Sequence, residues 1–152
     1  MKERKRRGIR LVGIVQLNVM GRPQMAYGRP CKMRNIPHEI SVCEASLLTG
    51  LEFQRTKTGG ATEPDGIAEK GGVKFFLEVD ESSHLTKKQY ETKSQGYAKV
   101  EGFVLIVTHG EERMKRVMGW CGAMDEVALF STFERLKAGQ GWQDRRGEVV
   151  EV

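Results

Sequence analysis

The sequence predicts an α/β domain with a mixed sheet flanked by helices. Three observations carry that expectation. Pro64–Asp80 reads as a glycine-turned β-hairpin. Phe103-Val104-Leu105-Ile106-Val107 is a continuous apolar run, the pattern of a strand buried on both faces. Helical patterns stand before the hairpin and between it and that run. At 152 residues, with 39% hydrophobic and 30% charged residues, the chain is long enough for one domain with a sizeable core. No apolar run approaches the roughly 18–20 residues that span a bilayer, and no secretory signal is legible, so a cytoplasmic protein without a membrane partner is expected. Cys31, Cys43 and Cys121 are odd in number and lack CxxC spacing, which reads as reduced thiols rather than a disulfide frame or a zinc site.

Along the chain, residues 1–10 form a basic arm. Lys2, Arg4, Lys5, Arg6, Arg7 and Arg10 stand against Glu3 alone, and the rest of the chain is balanced, so the net charge of +5 resides in the arm. A solvated tail is one reading of such a run, and contact with DNA phosphates is the other. Residues 11–35 read as a strand and hairpin extension: a strand over 9–19, a turn at Gly21-Arg22-Pro23, and a short return over 24–27. Asn35 as N-cap and Pro37 in the first turn predict a helix to about Leu48, stopped by Gly50. Residues 51–55 alternate as a strand, and 56–63 form a Gly/Thr-rich loop. After the hairpin, Ser82 or Ser83 is expected to cap a helix running through Ala98. Further helices are expected over 111–118 and 132–138, a strand over 127–130, and an edge strand or loose end at 149–152.

The hairpin holds the chemistry. Alternation puts Val73, Phe75, Leu77 and Val79 on one face of the longer strand and Phe76, Glu78 and Asp80 on the other. With a turn at Lys70-Gly71-Gly72, Asp65 falls opposite Phe76 or Leu77, about 7–8 Å from Glu78 on the diagonal. Carboxylates at that separation repel unless a proton or cation lies between them, so a metal site is one reading. Glu78, set in an apolar run, needs a partner, and a buried salt bridge to Lys93 without metal is another. His38 suits a helix cap, Tyr97 reads as core, and Trp120 and Trp142 read as packing anchors.

The order helix, strand, strand, strand, helix, strand, with Pro64-Asp65 and Glu78-Val79-Asp80, resembles the PD-(D/E)xK nuclease superfamily. More narrowly, His38-Glu39-Ile40-Ser41-Val42-Cys43-Glu44, Pro64-Asp65-Gly66, Phe76-Leu77-Glu78-Val79-Asp80 and Lys93-Ser94-Gln95-Gly96-Tyr97 resemble the nuclease-like half of the replication-relaxation family of plasmids and other mobile elements. The resemblance covers roughly residues 36–110. It implies a restriction-endonuclease-like αβββαβ core within a nuclease-like domain at 36–152. It also implies Mg²⁺ or Mn²⁺ held by Asp65, Glu78 and the Val79 carbonyl, with Glu44 at the metal or a bound water. The activity implied is that of a DNA endonuclease or nickase in replication or mobilisation, and many nucleases of this fold act as homodimers. Such proteins carry a winged-helix segment before this part; with only the basic arm and the hairpin at 9–27 ahead of it here, that module is expected to be absent or reduced to its wing.

The motif lysine is replaced by Asp80. Leu85, Gln89, Lys93 and Tyr97 are spaced by four along one helical stripe, which nominates Lys93 to supply the ammonium, with Lys87 and Lys88 as rivals. The expected catalytic set is therefore Asp65, Glu78, Asp80 and Lys93. The alternative is a nuclease fold that has lost turnover and serves as a DNA-binding or protein-interaction module. The position of Lys93 relative to the Asp65–Glu78 cleft separates the two.

Overall fold

The computed structural model describes residues 10–15, 24–28, 36–55, 62–81 and 85–152, the first two segments by their backbone. The expected basic positions Lys2, Arg4, Lys5, Arg6 and Arg7, the turn at 21–23, the cap Asn35, Cys31 and the serines at 82–83 lie outside the described residues. The chain divides into two compact units after Ser41. In the first, strand β1 (Arg10–Val15) pairs antiparallel with β2 (Gln24–Gly28), as the sequence predicts, with a register shift between Leu11 and Gly13. Helix α1 (Ile36–Thr49) runs across the division and ends at Gly50, whose φ of 67° suits a glycine C-terminal stop.

The second unit is α/β, built on a six-stranded mixed sheet flanked by helices. Its strands lie in sequence order: β3 (Gly66–Lys70), β4 (Val73–Asp80), β5 (Phe103–Thr108), β6 (Ala128–Thr132), β7 (Trp142–Gln143) and β8 (Val149–Val150). β3 and β4 are an antiparallel hairpin, whereas β4, β5 and β6 run parallel. The parallel trio needs crossovers, supplied by α2 (Lys87–Tyr97) and α3 (Glu111–Trp120). Two apolar clusters sandwich the sheet. Tyr90, Tyr97, Met114 and Val117 of α2 and α3 pack with Val104, Ile106 and Phe130 on one face. Val42, Ala45 and Phe133 pack with Leu77, Val79, Val107 and Leu129 on the other, Phe133 opening helix α4 (Phe133–Lys137). Val104 to Val107 are fully buried, which is why β5 reads as unbroken hydrophobicity rather than alternation. The last residues fold back: Val150 and Val152 pack on the cluster of Leu77, and Lys70 Nζ donates to the Val152 carbonyl at 3.3 Å.

Three details differ from the sequence-based expectation. The strand expected at 51–55 is reduced to a single bridge, Gln54 with Ile67, made by two backbone hydrogen bonds of 2.8 and 2.9 Å. Phe53 crowds the hairpin there: its Cβ lies 2.9 Å from where a Cβ on Gly66 would stand. Helix α2 begins at Lys87, behind Thr86, whose N–H donates to Gln89 Oε1 at 2.8 Å and so settles the cap four residues later than Ser82. The hairpin turn is the two residues Gly71-Gly72, at φ 60° and 80°, because Lys70 already pairs with Val73. Two consecutive left-handed residues are what a tight, right-twisting hairpin turn requires. No helix among the described residues is long and apolar enough to cross a membrane.

Candidate active site

Gly66 stands opposite Leu77, and Asp65 lies just ahead of it, at the end of the hairpin where it is expected near Leu77. Its N–H donates to the Leu77 carbonyl, and its Oδ2 accepts the Val79 N–H, both at 2.8 Å. A residue's N–H and C=O leave a strand on the same side, so the Val79 carbonyl also faces the Asp65 edge. This places Asp65, Glu78 and the Val79 carbonyl at one end of the hairpin.

Glu78 points to the α2 and α3 face and is 6% exposed. Both of its oxygens are engaged. Lys93 Nζ donates to Oε2 at 2.6 Å, and the Tyr97 hydroxyl donates to Oε1 at 2.5 Å. Lys93 and Tyr97 are one turn apart on α2, so a single helix face delivers both donors. Burial raises the Glu78 pKa, the Lys93 ammonium opposes that rise, and the Asp65 charge adds to it. The Tyr97 hydroxyl is pushed up as well, by burial and by the Glu78 charge it faces. The resulting unit is a buried carboxylate held between an ammonium and a phenol, with a second carboxylate at its side.

Asp80 takes a different partner. It is 2% exposed, and Arg113 of α3 grips it with two bonds, Nε to Oδ2 at 2.5 Å and Nη2 to Oδ1 at 3.1 Å. Nη2 also donates to the Leu85 carbonyl at 3.1 Å, and the guanidinium lies 5.1 Å from the Trp120 ring and 5.9 Å from the Tyr90 ring. The structure thus ties Asp80 to Arg113 rather than to the Asp65–Glu78 pair. Glu44 is also elsewhere: α1 covers the opposite face from Glu78, and Glu44 Oε1 accepts Lys137 Nζ at 2.8 Å. Lys87 pairs with Glu91 at 3.8 Å and Lys88 is exposed, so Lys93 is the lysine brought to Glu78. Arg10 opens β1, where its backbone pairs with Gly28.

Two residues of this arrangement were not read as functional in the sequence. Tyr97 does pack in the core, but its hydroxyl also reaches Glu78, and the one-turn spacing from Lys93 was the available signal. Arg113 had no signal, since its partner lies 33 residues away in the chain.

Oxygen donors suit Mg²⁺ or Mn²⁺, and Mg²⁺ is commonly held by one or two carboxylates, with waters and substrate phosphate completing its shell. Asp65, Glu78 and the Val79 carbonyl fit that donor set. Among the described residues no group of three or more His, Cys, Asp or Glu side chains converges for a metal. No family model, curated protein or solved structure matches the chain.

Proposed function

We propose that this chain is a divalent-metal-dependent DNA endonuclease or nickase with a restriction-endonuclease-like core, working in the cytoplasm on the replication or mobilisation of a plasmid, virus or other mobile element. The observation that carries the chemistry is the Lys93 ammonium resting 2.6 Å from Glu78, beside Asp65. The motif strand ends in Asp80 where the nucleases it resembles have lysine, and the ammonium comes from the following helix instead. The mobile-element setting rests on the sequence resemblance alone.

Asp65, Glu78 and the Val79 carbonyl would hold Mg²⁺ or Mn²⁺, which supplies charge neutralisation at the phosphodiester and a more acidic water. The chain's own residues do the rest. Tyr97 fixes the Glu78 carboxylate through Oε1, and the Asp65–Val79 bond fixes Asp65 against the strand. Lys93, 28% exposed, holds a positive charge at the mouth of the site, where phosphate charge grows during hydrolysis. The arm at 1–10 would grip the DNA backbone.

A second reading has its own support. Both Glu78 oxygens are already engaged, and an internal salt bridge satisfies the carboxylate without metal. On that reading the Lys93–Glu78 pair is structural, and a nuclease fold that has lost turnover binds DNA or a partner protein.

One experiment separates them. Mg²⁺ and Mn²⁺ are titrated calorimetrically into the wild type and into Asp65→Ala/Glu78→Ala, with nicking of supercoiled plasmid followed in the same samples. Metal binding and nicking, both lost in the variant, are the expected result. Neither in the wild type would leave the binding module, which retained DNA affinity dependent on residues 1–10 would then support.

A further inference from the structure

The acid-x-acid pair on β4 does two jobs, and the second is mechanical. Glu78 and Asp80 leave β4 on the same face, about 6–7 Å apart along the strand. Glu78 is met by Lys93 and Tyr97, from the second half of α2. Asp80 is met by Arg113, which also holds the Leu85 carbonyl just ahead of α2 and lies over Tyr90 in its first half. We propose that Arg113 is a positioning residue: by binding Asp80, Leu85 and Tyr90 together it fixes the start of α2 against the end of β4, and so sets where Lys93 meets Glu78.

A helix attached at one point can pivot and slide, whereas two attachments on one strand fix both its angle and its register. The residues in question share a helix face, since Tyr90, Lys93 and Tyr97 are spaced by three and four. A shift at Tyr90 is therefore carried to Lys93 with little loss, because a helix is stiff over one turn. The clamp is specific to arginine. Its planar fork makes two bonds to one carboxylate, spares an N–H for a carbonyl, and lies on aromatic rings, none of which lysine's point charge reproduces together. The pair is also shielded: Asp80 is 1% exposed at its side chain and Arg113 14%, so water has little access to the carboxylate.

Whether Glu78 serves catalysis rests on the function proposed above, but the positioning role does not, and the test keeps them apart. Arg113→Met alone would leave Asp80 buried without a partner and threaten folding, so the working variant is Asp80→Asn/Arg113→Met, which removes both charges. Val117→Ala, a cavity in the same cluster that leaves both charges in place, is the control for general loosening. The readout is the ¹⁵Nζ signal of Lys93, whose ammonium protons exchange slowly while held on Glu78, assigned by its loss in Glu78→Gln. We expect the folded Asp80→Asn/Arg113→Met protein to lose that signal or exchange about tenfold faster or more, Val117→Ala to keep it, and Arg113→Lys to fall between. A Lys93 signal exchanging at the wild-type rate in the folded double variant overturns the proposal. If the wild type nicks DNA, its turnover falls in step with the signal. If it does not, the exchange result still decides the role of Arg113.

Discussion

Lys93→Met isolates the interaction on which the candidate site turns. The substitution keeps most of the side-chain volume and removes the ammonium, leaving the Glu78 carboxylate with the Tyr97 hydroxyl and the nearby charge of Asp65. Breaking a fully buried ion pair from one side costs about 3–5 kcal/mol. Here Glu78 is 8% exposed at its side chain and Lys93 28%, so water softens the loss, and about 2–3 kcal/mol is the expected destabilisation at neutral pH. The pH dependence is the sharper test. Burial raises the folded pKa of Glu78 above the ordinary 4.5, so the folded protein holds this proton more tightly than the unfolded chain. Its contribution is therefore fully present below 4.5 and is lost as pH rises through the folded pKa. Lys93 is the largest influence opposing that rise, so Lys93→Met pushes the folded pKa higher and widens the window over which stability is lost. Destabilisation should be small near pH 4, where Glu78 is protonated with or without Lys93, and grow toward neutrality. Urea denaturation of the wild type, Lys93→Met, Glu78→Gln and the double variant at several pH values measures it. In the Glu78→Gln background the loss should become flat with pH and fall below about 1 kcal/mol. An equal, pH-independent loss in both backgrounds would show that Lys93 stabilises by packing alone and that the ion pair carries nothing.

Further predictions concern neighbouring features. Gly96 of α2 faces Thr62, and a Cβ there would stand 2.0 Å from Thr62 Oγ1, so in Gly96→Ala either the Thr62 side chain must turn or the segment that leads to Asp65 must move. Although alanine favours a helix by about 1 kcal/mol over glycine, we expect a net loss of about 1–2 kcal/mol in thermal denaturation, since overpacking outweighs propensity. Asp65→Asn keeps an oxygen for the Val79 N–H and should leave stability within about 1 kcal/mol of wild type, whereas Asp65→Ala frees that N–H and should cost about 1–2 kcal/mol. A comparison of the two by denaturation, with metal affinity measured alongside, separates the structural bond from the carboxylate's charge. Cys121 is fully buried with its thiol pushed up to about 12, and Cys43 is exposed. Brief alkylation of the folded protein at pH 8, read by peptide mass spectrometry, should label Cys43 and spare Cys121 until denaturant is added.

Elements specified by local pattern were legible. The apolar run of β5, the helix between Ile36 and Gly50 and the glycine-turned hairpin each appear where the pattern of residues sets them. Features decided by a partner elsewhere were displaced or lost. Residues 51–55 alternate as a strand should, yet strand length depends on how much backbone a neighbour offers, and β3 offers pairing only at Ile67. The start of α2 was misplaced because Ser82, Ser83 and Thr86 are all competent caps, and Gln89 favours Thr86. The turn was read one residue too long because Lys70-Gly71-Gly72 does not reveal which residue pairs first.

The same distinction explains the site. Lys93 could be nominated because helical spacing aims it, and Glu78 because a carboxylate inside an apolar strand needs a partner. Asp80 could not be resolved that way, since alternation gives its face but not its partner, and its face is the one Glu78 uses. Two carboxylates spaced by two on a buried strand could share one ligand or be claimed separately. Sharing would leave their mutual repulsion to a bound cation, whereas separate claims let each charge be matched by its own cation from the covering helices. The structure takes the second course, with Lys93 for Glu78 and Arg113 for Asp80. The division has a physical logic. Arg113 is the bidentate, aromatic-packed cation, the kind suited to a permanent bond, and it sits on the more buried acid. Lys93 is the compact, partly exposed cation held to its acid by one hydrogen bond, a contact with less of the geometry fixed. Exchanging the two, as Lys93→Arg with Arg113→Lys, should therefore weaken the fold through Asp80 and stiffen the contact at Glu78. Denaturation and Lys93-site exchange would read those two effects separately.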